Sequence, residues 1–228
     1  MIPDNWSYKQ LKEIALVTSG GTPSRTVSNY WDGNIPWVRT TEVQNCVIAM
    51  GDVKEFITQE GLDNSSAKIL PARSILMAMI GQGKTRGQVA LLSIDAACNQ
   101  NSAAIIFQDG HASEFYFNYL KSQYQNIRNY SNSAGQSNLS GALVKSICVP
   151  VPPLSEKKKI AQILSTWDKA IETVEKLIAN SQQKKKALMQ QLLTGKKHFN
   201  SQLNFWLHQL NIRMSMQRQF SQQVKLSF

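Results

Sequence analysis

Val149-Pro150-Val151-Pro152-Pro153-Leu154-Ser155-Glu156 separates two kinds of sequence, because three prolines in four positions end a strand and cannot continue a ladder. Ser155 can cap a helix that starts there. From Ile160 the positions Ile160, Leu164, Trp167, Ile171, Val174, Ile178, Ser181, Lys185, Leu188 and Leu192 recur at alternating intervals of four and three, the seam of a helix that packs on another helix. Eight of the ten are apolar, so the pattern is not a solvated face. Ser181 and Lys185 interrupt it at adjacent positions, where register is set or another chain docks. Thr194-Gly195 supplies the stop, with Lys196 and Lys197 where the negative helix end favours cations. A helix from Glu156 to Thr194 has 39 residues and a length of about 58 Å. Such a seam calls for a partner helix from a second copy or a related subunit; the alternative is a surface helix folded back on its own sheet.

Upstream of the prolines the chain reads as a sheet. Short β-rich runs lie at Ile35 to Thr40, Cys46 to Met50, Val53 to Ile57, Ser74 to Ile80, Gln88 to Ser93, Ala103 to Phe107 and Ser146 to Val149, with turn residues between them. One helix is expected after Ser113, where Tyr116, Tyr119, Leu120, Gln123, Tyr124 and Ile127 recur at helical spacing, and it is read as packing on that sheet. The fold class is α+β: a small β-rich domain over residues 1–153, a long helix over 154–197 and a basic tail over 198–228.

Composition narrows the function. Hydrophobic residues make up 42% of the 228, enough for a real core. Cys46, Cys98 and Cys148 are an odd set without a C-x-x-C pair, which fits a reducing cytosol rather than a disulfide framework or a zinc site. The longest strongly apolar run, Ile75 to Ile80, has six residues, too few for a membrane span, and the N-terminus lacks the pattern of a secretory signal. The net charge of +10 is concentrated: residues 1–175 hold 16 Lys and Arg against 15 Asp and Glu, whereas residues 176–228 hold nine bases and no acid. A polyanion partner would therefore meet local basic clusters in the β-rich part, and the tail is either a phosphate-binding segment or a solvated end.

Four polar stretches stand out. Thr18-Ser19-Gly20-Gly21-Thr22-Pro23-Ser24-Arg25 combines glycines with donors for phosphate or base edges, though an ordinary tight turn has the same composition. Gly81-Gln82-Gly83-Lys84-Thr85-Arg86-Gly87 lies between two strands; it lacks the G-x-x-x-x-G-K-[ST] order and the following helix of a nucleotide-binding loop. Its Gln82, Lys84, Thr85 and Arg86 suit groove insertion, since Arg and Lys pair with guanine and Gln with adenine. Cys98-Asn99-Gln100-Asn101 and Asn132 to Ser140 add amides and hydroxyls that either contact bases or satisfy the protein's own backbone.

In that order, with Tyr30-Trp31-Asp32-Gly33-Asn34-Ile35-Pro36-Trp37-Val38, Gly135-Gln136-Ser137-Asn138-Leu139-Ser140-Gly141 and the proline hinge running into the heptad helix, residues 6–197 resemble the specificity subunit of type I restriction-modification systems. The resemblance implies a target recognition domain followed by one coiled-coil spacer helix. It also implies recognition of one half of a bipartite site in double-stranded DNA, with methyltransferase subunits and a restriction/translocase subunit as partners, and no cofactor. In this chain Lys157 stands where the family commonly has Gln, read as a surface change. A complete subunit carries two recognition domains and two helices, so this chain is read either as a half-subunit that pairs or as a truncated product. The stretch from residue 199 matches nothing in the family and is read as a frameshifted or tag-like end or a short accessory helix.

On this reading Arg39, Lys84, Arg86, Gln82 and Gln136 are expected to meet bases, with Thr85 and Asn138 beside them on their loops. Thr22, Ser24, Arg25, Thr40 and Ser137 are expected to anchor phosphates. No catalytic set is visible: His111, His198 and His208 are scattered, and neither a nuclease constellation nor an Asn-Pro-Pro-Tyr type motif for base methylation is present. Methyl transfer and cleavage are assigned to partner subunits. The rival reading is an interaction or inhibitory half-subunit that binds methyltransferase subunits without reading DNA.

Overall fold

The computed structural model describes residues 3–81, 83–108, 113–133 and 138–196, and beyond them His208, Leu210, Asn211 and Met214. It divides into two compact units, one up to Trp167 and one from Asp168.

The first unit is an α+β assembly. After β1 (Ser7–Gln10) and a single turn α1 (Leu11–Ile14) come β2 (Ala15–Ser19), β3 (Trp31–Val38), β4 (Cys46–Ile48), β5 (Glu55–Ile57) and α2 (Gln59–Asp63). There follow β6 (Ile75–Ala78), β7 (Val89–Leu92), β8 (Ala97–Cys98), β9 (Ser102–Phe107), α3 (Ser113–Ser122), α4 (Tyr124–Ser133), α5 (Gly141–Ser146), β10 (Cys148–Val151) and the start of α6 (Leu154–Leu193), which continues past Trp167 into the second unit. The strands form a five-stranded sheet in the order β2-β9-β6-β7-β4, a three-stranded sheet β5-β3-β8 and a two-stranded ribbon β1-β10.

The three central strands of the five-stranded sheet, β9, β6 and β7, are covered on both faces, which explains why they read as continuous apolar runs rather than alternating ones. Side chains alternate across a strand. Ile75, Met77, Val89, Leu91, Ala103, Ile105 and Phe107 join Phe115, Tyr116, Phe117 and Leu120 of α3 in one core, while Leu76, Ala78, Ala90, Leu92 and Ala104 meet Val38, Val43, Ile48 and Val53 in a second. The helix expected after Ser113 does pack on the sheet. It is two helices, however, broken at Gln123, whose N–H is shared between the Tyr119 and Leu120 carbonyls.

Two expectations are corrected at the hinge. The strand does not end at the first proline: β10 runs through Pro150, which pairs with Tyr8. A strand with one neighbour can turn a proline's missing N–H to its open side. Nor is Lys157 a surface residue. It is 7% exposed, and its ammonium lies 5.4 Å from the Tyr116 ring centroid, where the ring face attracts the cation. Beside it, Glu156 accepts from Asn5 Nδ2 at 2.7 Å and Trp6 Nε1 at 2.8 Å, and Ala161 is buried against the first core. The opening turns of α6 are thus bolted to the β-rich unit.

Helix α6 ends as its sequence predicts. Gly195 adopts φ +68°, and the Thr194 and Gly195 N–H groups return to the Gln190 and Leu192 carbonyls, the left-handed closure that glycine permits. Ile105, with no exposure, lies on the face of β9 that α3 covers. Ile105→Ala should cost about 2–5 kcal/mol, seen as a lower urea midpoint at unchanged slope; a loss under about 1 kcal/mol would show that this layer is not close-packed.

Candidate nucleic-acid interface

Strand register gathers the polar stretches. Ser19 faces Ala103, Ala78 faces Ser102 and Met77 faces Val89, so the segments 20–25, 79–88 and 99–101 all leave the five-stranded sheet at one end. Val38 pairs with Cys98 and the Asn99 N–H donates to the Val38 carbonyl at 3.1 Å, which brings Arg39 and Thr40 to the same end. Met79 donates to Asn101 O at 2.9 Å and accepts from the Leu139 N–H at 2.8 Å, adding the close of the 132–140 stretch. Five segments distant in sequence therefore share one rim.

Two of the glycines serve the frame. A Cβ on Gly20 would lie 2.0 Å from the Cys98 carbonyl oxygen, and one on Gly21 would lie 2.3 Å from the Ala67 nitrogen. The Gly21 N–H donates to Cys98 O and its carbonyl accepts from Trp37 Nε1, both at 2.9 Å. This loop sits directly against backbone. The 81–87 loop is built otherwise: Gly81 and Gly87 take φ +131° and +84°, and α4 braces what lies between. Tyr124 Oη donates to Lys84 O at 2.6 Å, and Arg128 Nη1 donates to Gly83 O at 2.7 Å and to Arg86 O at 3.3 Å. The sequence reading missed these supports; their only trace was a tyrosine and an arginine one helical turn apart.

The predicted contact residues divide by placement. Ser24, Arg25, Lys84 and Asn138 are exposed, and Thr22 and Thr85 are half-buried. Gln82, Gln136 and Ser137 lie outside the described residues. Thr22 Oγ1 donates to Gln100 Oε1. Thr40 is 6% exposed, its hydroxyl 2.6 Å from Asn99 Oδ1 and 3.1 Å from Ser102 Oγ; the Asn99 amide thus serves internal hydroxyls. Arg86 is 8% exposed, turned into the protein rather than presented on its loop. Arg39 is paired with Glu42 at 3.3 Å and Glu55 at 3.1 Å. Arg25 pairs with Glu55 at 2.6 Å and lies over Trp31, 3.7 Å from the ring centroid.

On α6 the seam residues Leu164, Trp167, Ile171, Val174, Ile178 and Leu188 are all exposed, and Leu192 is half-buried. Ile160 packs on the first core of the β-rich unit, so the uncovered part of the seam starts at Leu164. Among the described residues no three His, Cys, Asp or Glu side chains lie close enough to hold a metal ion, and no helix is long and apolar enough to cross a membrane.

Residues 3–183 match the family model described as the type I restriction modification DNA specificity domain. The chain is similar to the type I restriction enzyme MjaIX specificity subunit of Methanocaldococcus jannaschii, 30% identical over 178 residues, 77% of this chain and 40% of that one. It is also similar to the EcoR124I/EcoR124II specificity subunit of Escherichia coli, 28% identical over 167 residues, 71% of this chain and 40% of that one. It spans about two fifths of the length of these relatives. Among solved structures, a chain from a study of type I R-M complex assembly and conformational transition superposes with TM-score 0.61 at 15% identity, covering 83% of this chain and 45% of that one. The HsdS subunit from Thermoanaerobacter tengcongensis gives 0.58 at 14%, covering 78% and 41%. These two share the fold.

The contact between the 20–25 loop and β8 can be checked through Cys98. Burial pushes its thiol up to about 12, against an opposing hydrogen bond from the Gly20 backbone. At pH 8 Cys98 should resist iodoacetamide in the folded protein while the exposed Cys148 is alkylated, as read by peptide mass spectrometry. Gly20→Ala should expose Cys98 to the reagent. Because the folded-state value is raised, the thiol's contribution is complete below the ordinary 9.0 and is lost as pH climbs towards 12. Rapid modification of native Cys98 at pH 8 would contradict this packing.

Proposed function

The chain belongs to the type I restriction-modification DNA specificity family, and from that premise we propose that it reads one half of a bipartite sequence in double-stranded DNA. The observation that carries the reading is the convergence of the 20–25, 83–87, 99–101 and 138–140 segments on one rim. A rim of exposed donors on a rigid sheet suits groove recognition, because phosphate contacts fix orientation and a few side chains on loops discriminate base edges. Lys84, Thr85 and Asn138, with Gln82 and Gln136, are proposed to face bases. Thr22, Ser24, Arg25 and Ser137 anchor phosphates. Arg39, Thr40 and Arg86, expected from sequence to touch DNA directly, are better used as the frame, since Thr40 and Arg86 are buried and Arg39 is held by two carboxylates.

The seam of α6 is proposed to pair with the helix of a second copy or of a related half-subunit, through Leu164, Trp167, Ile171, Val174, Ile178, Leu188 and Leu192, with Ile160 at its root. Charge favours an antiparallel pair. Along the uncovered seam beyond Leu164, the acids Asp168, Glu172 and Glu175 outnumber Lys169, whereas Lys176, Lys184, Lys185 and Lys186 follow with no acid among them. Parallel helices would set like charges side by side; antiparallel ones set the basic half of each against the acid-bearing half of the other. A 40-residue helix is about 60 Å long, a spacer for half-sites one to two turns of about 34 Å apart. Methyltransferase subunits and a restriction/translocase subunit are the partners proposed to supply chemistry, in the cytosol, with this chain non-catalytic.

Binding selection on randomised duplexes, using the chain with its methyltransferase subunits, should enrich a bipartite motif. Lys84→Ala should lose about 1–3 kcal/mol and relax preference at one position, whereas Ser24→Ala should weaken all sequences alike. No enrichment would leave the interaction-only half-subunit standing. For the helix, Ile171→Asp with Ile178→Asp should give monomers by light scattering, and deletion of one heptad should shorten the preferred gap while keeping each half-site. An unchanged gap would refute the spacer role.

A further inference from the structure

Glu55 has an arrangement that the recognition of bases does not require. Its carboxylate lies between two guanidinium groups, Arg25 at 2.6 Å and Arg39 at 3.1 Å, and its side chain keeps 22% of its exposure. It sits on β5 opposite Trp37, at the end of β3 that leads to the rim. The two arginines are held unequally. Arg39 has a second carboxylate, Glu42, which also accepts from the Arg39 backbone N–H at 3.1 Å and is 9% exposed. Among the described residues Arg25 has no second carboxylate; it lies over Trp31 and 5.1 Å from the Trp37 ring centroid, and its side chain is 54% exposed.

We propose that Glu55 is an internal stand-in for a DNA phosphate, holding Arg25 at the rim until a duplex takes the guanidinium over. The inference rests on the DNA-reading function proposed above and adds a device that limits binding to arbitrary DNA. The exchange strands no charge. When Arg25 turns to a phosphate, Glu55 keeps Arg39, and Arg39 keeps Glu42. The indole face holds the guanidinium plane near its site throughout, so little side-chain entropy is lost on transfer. Glu55 competes with every phosphate equally, whatever the sequence. It therefore subtracts from sequence-independent attraction, and base contacts must make up the difference.

The test uses the full chain and a 30-base-pair duplex of arbitrary sequence, with affinity followed by fluorescence anisotropy from about 50 to 300 mM salt. The near-isosteric Glu55→Gln should bind about threefold to tenfold more tightly at the lowest salt without steepening the slope of log affinity against log salt, because the duplex takes up the same Arg25 contact in both proteins and only the internal competitor is gone. Arg25→Gln removes the cation instead and should flatten that slope by about one. Tighter binding by Glu55→Gln together with a flattened slope for Arg25→Gln supports the exchange. Equal affinities of wild type and Glu55→Gln, or an unflattened slope for Arg25→Gln, overturn it while leaving DNA reading intact. If Glu55→Gln melts early, Arg25→Gln alone decides, and an unflattened slope overturns the proposal. Absence of binding by all three proteins overturns the DNA reading and this inference with it.

Discussion

The pairing of β6 with β9 constrains everything else in the β-rich unit. Four residues of one strand, Ile75–Ala78, are matched one for one with Ser102–Ile105 of the other, and all eight are buried. With both faces covered, a slip by one residue would exchange the Ile75 and Leu76 faces and misplace every side chain of two cores. The same register fixes where the chain exits, and hence that Asn101, Met79 and Leu139 are bonded in series. A surface of loops is thereby held by the least adjustable part of the molecule. That is the usual condition for loops that must present donors reproducibly.

Much of this was legible beforehand. The seven strands expected from β-rich runs all overlap observed ones, because those runs carry enough branched and aromatic residues to be recognised without their partners. The long helix was legible to within two residues at either end, since periodicity, a glycine stop and a proline start agree. The strands β1, β2 and β8 were not. Ser7–Gln10 is largely exposed, and Ala97–Cys98 has two residues, so tertiary pairing rather than propensity makes them strands.

The candidate site was legible as segments and not as side chains. Composition marks glycine-rich, amide-rich stretches, and these do come together. It does not say which donors face outwards. Arg86 turns inwards, Thr40 is consumed by Asn99 and Ser102, and Arg25 and Arg39 share a carboxylate from a strand some thirty and sixteen residues away. Each outcome depends on the fold, and for Thr40, Arg25 and Arg39 on a partner distant in sequence that a single chain does not announce. Lys157 is the same lesson at the hinge: a lysine in a run of three looks solvated, and only the ring of Tyr116 makes it internal.

That internal lysine bears on how such proteins can be recombined. The prolines at 150, 152 and 153 look like the natural place to cut and splice, leaving a head on one side and a rod on the other. Yet Trp6 and Tyr116 lie before them, Glu156 and Lys157 after them, and the side chains meet across the prolines in two pairs, Trp6 with Glu156 and Tyr116 with Lys157. A chimera joined at the prolines would inherit the two halves of that joint from different parents and lose the fit between the head and the first turns of its helix. A junction beyond Ala161 keeps the joint whole, so the exchangeable module is the head together with the first two turns of its own helix.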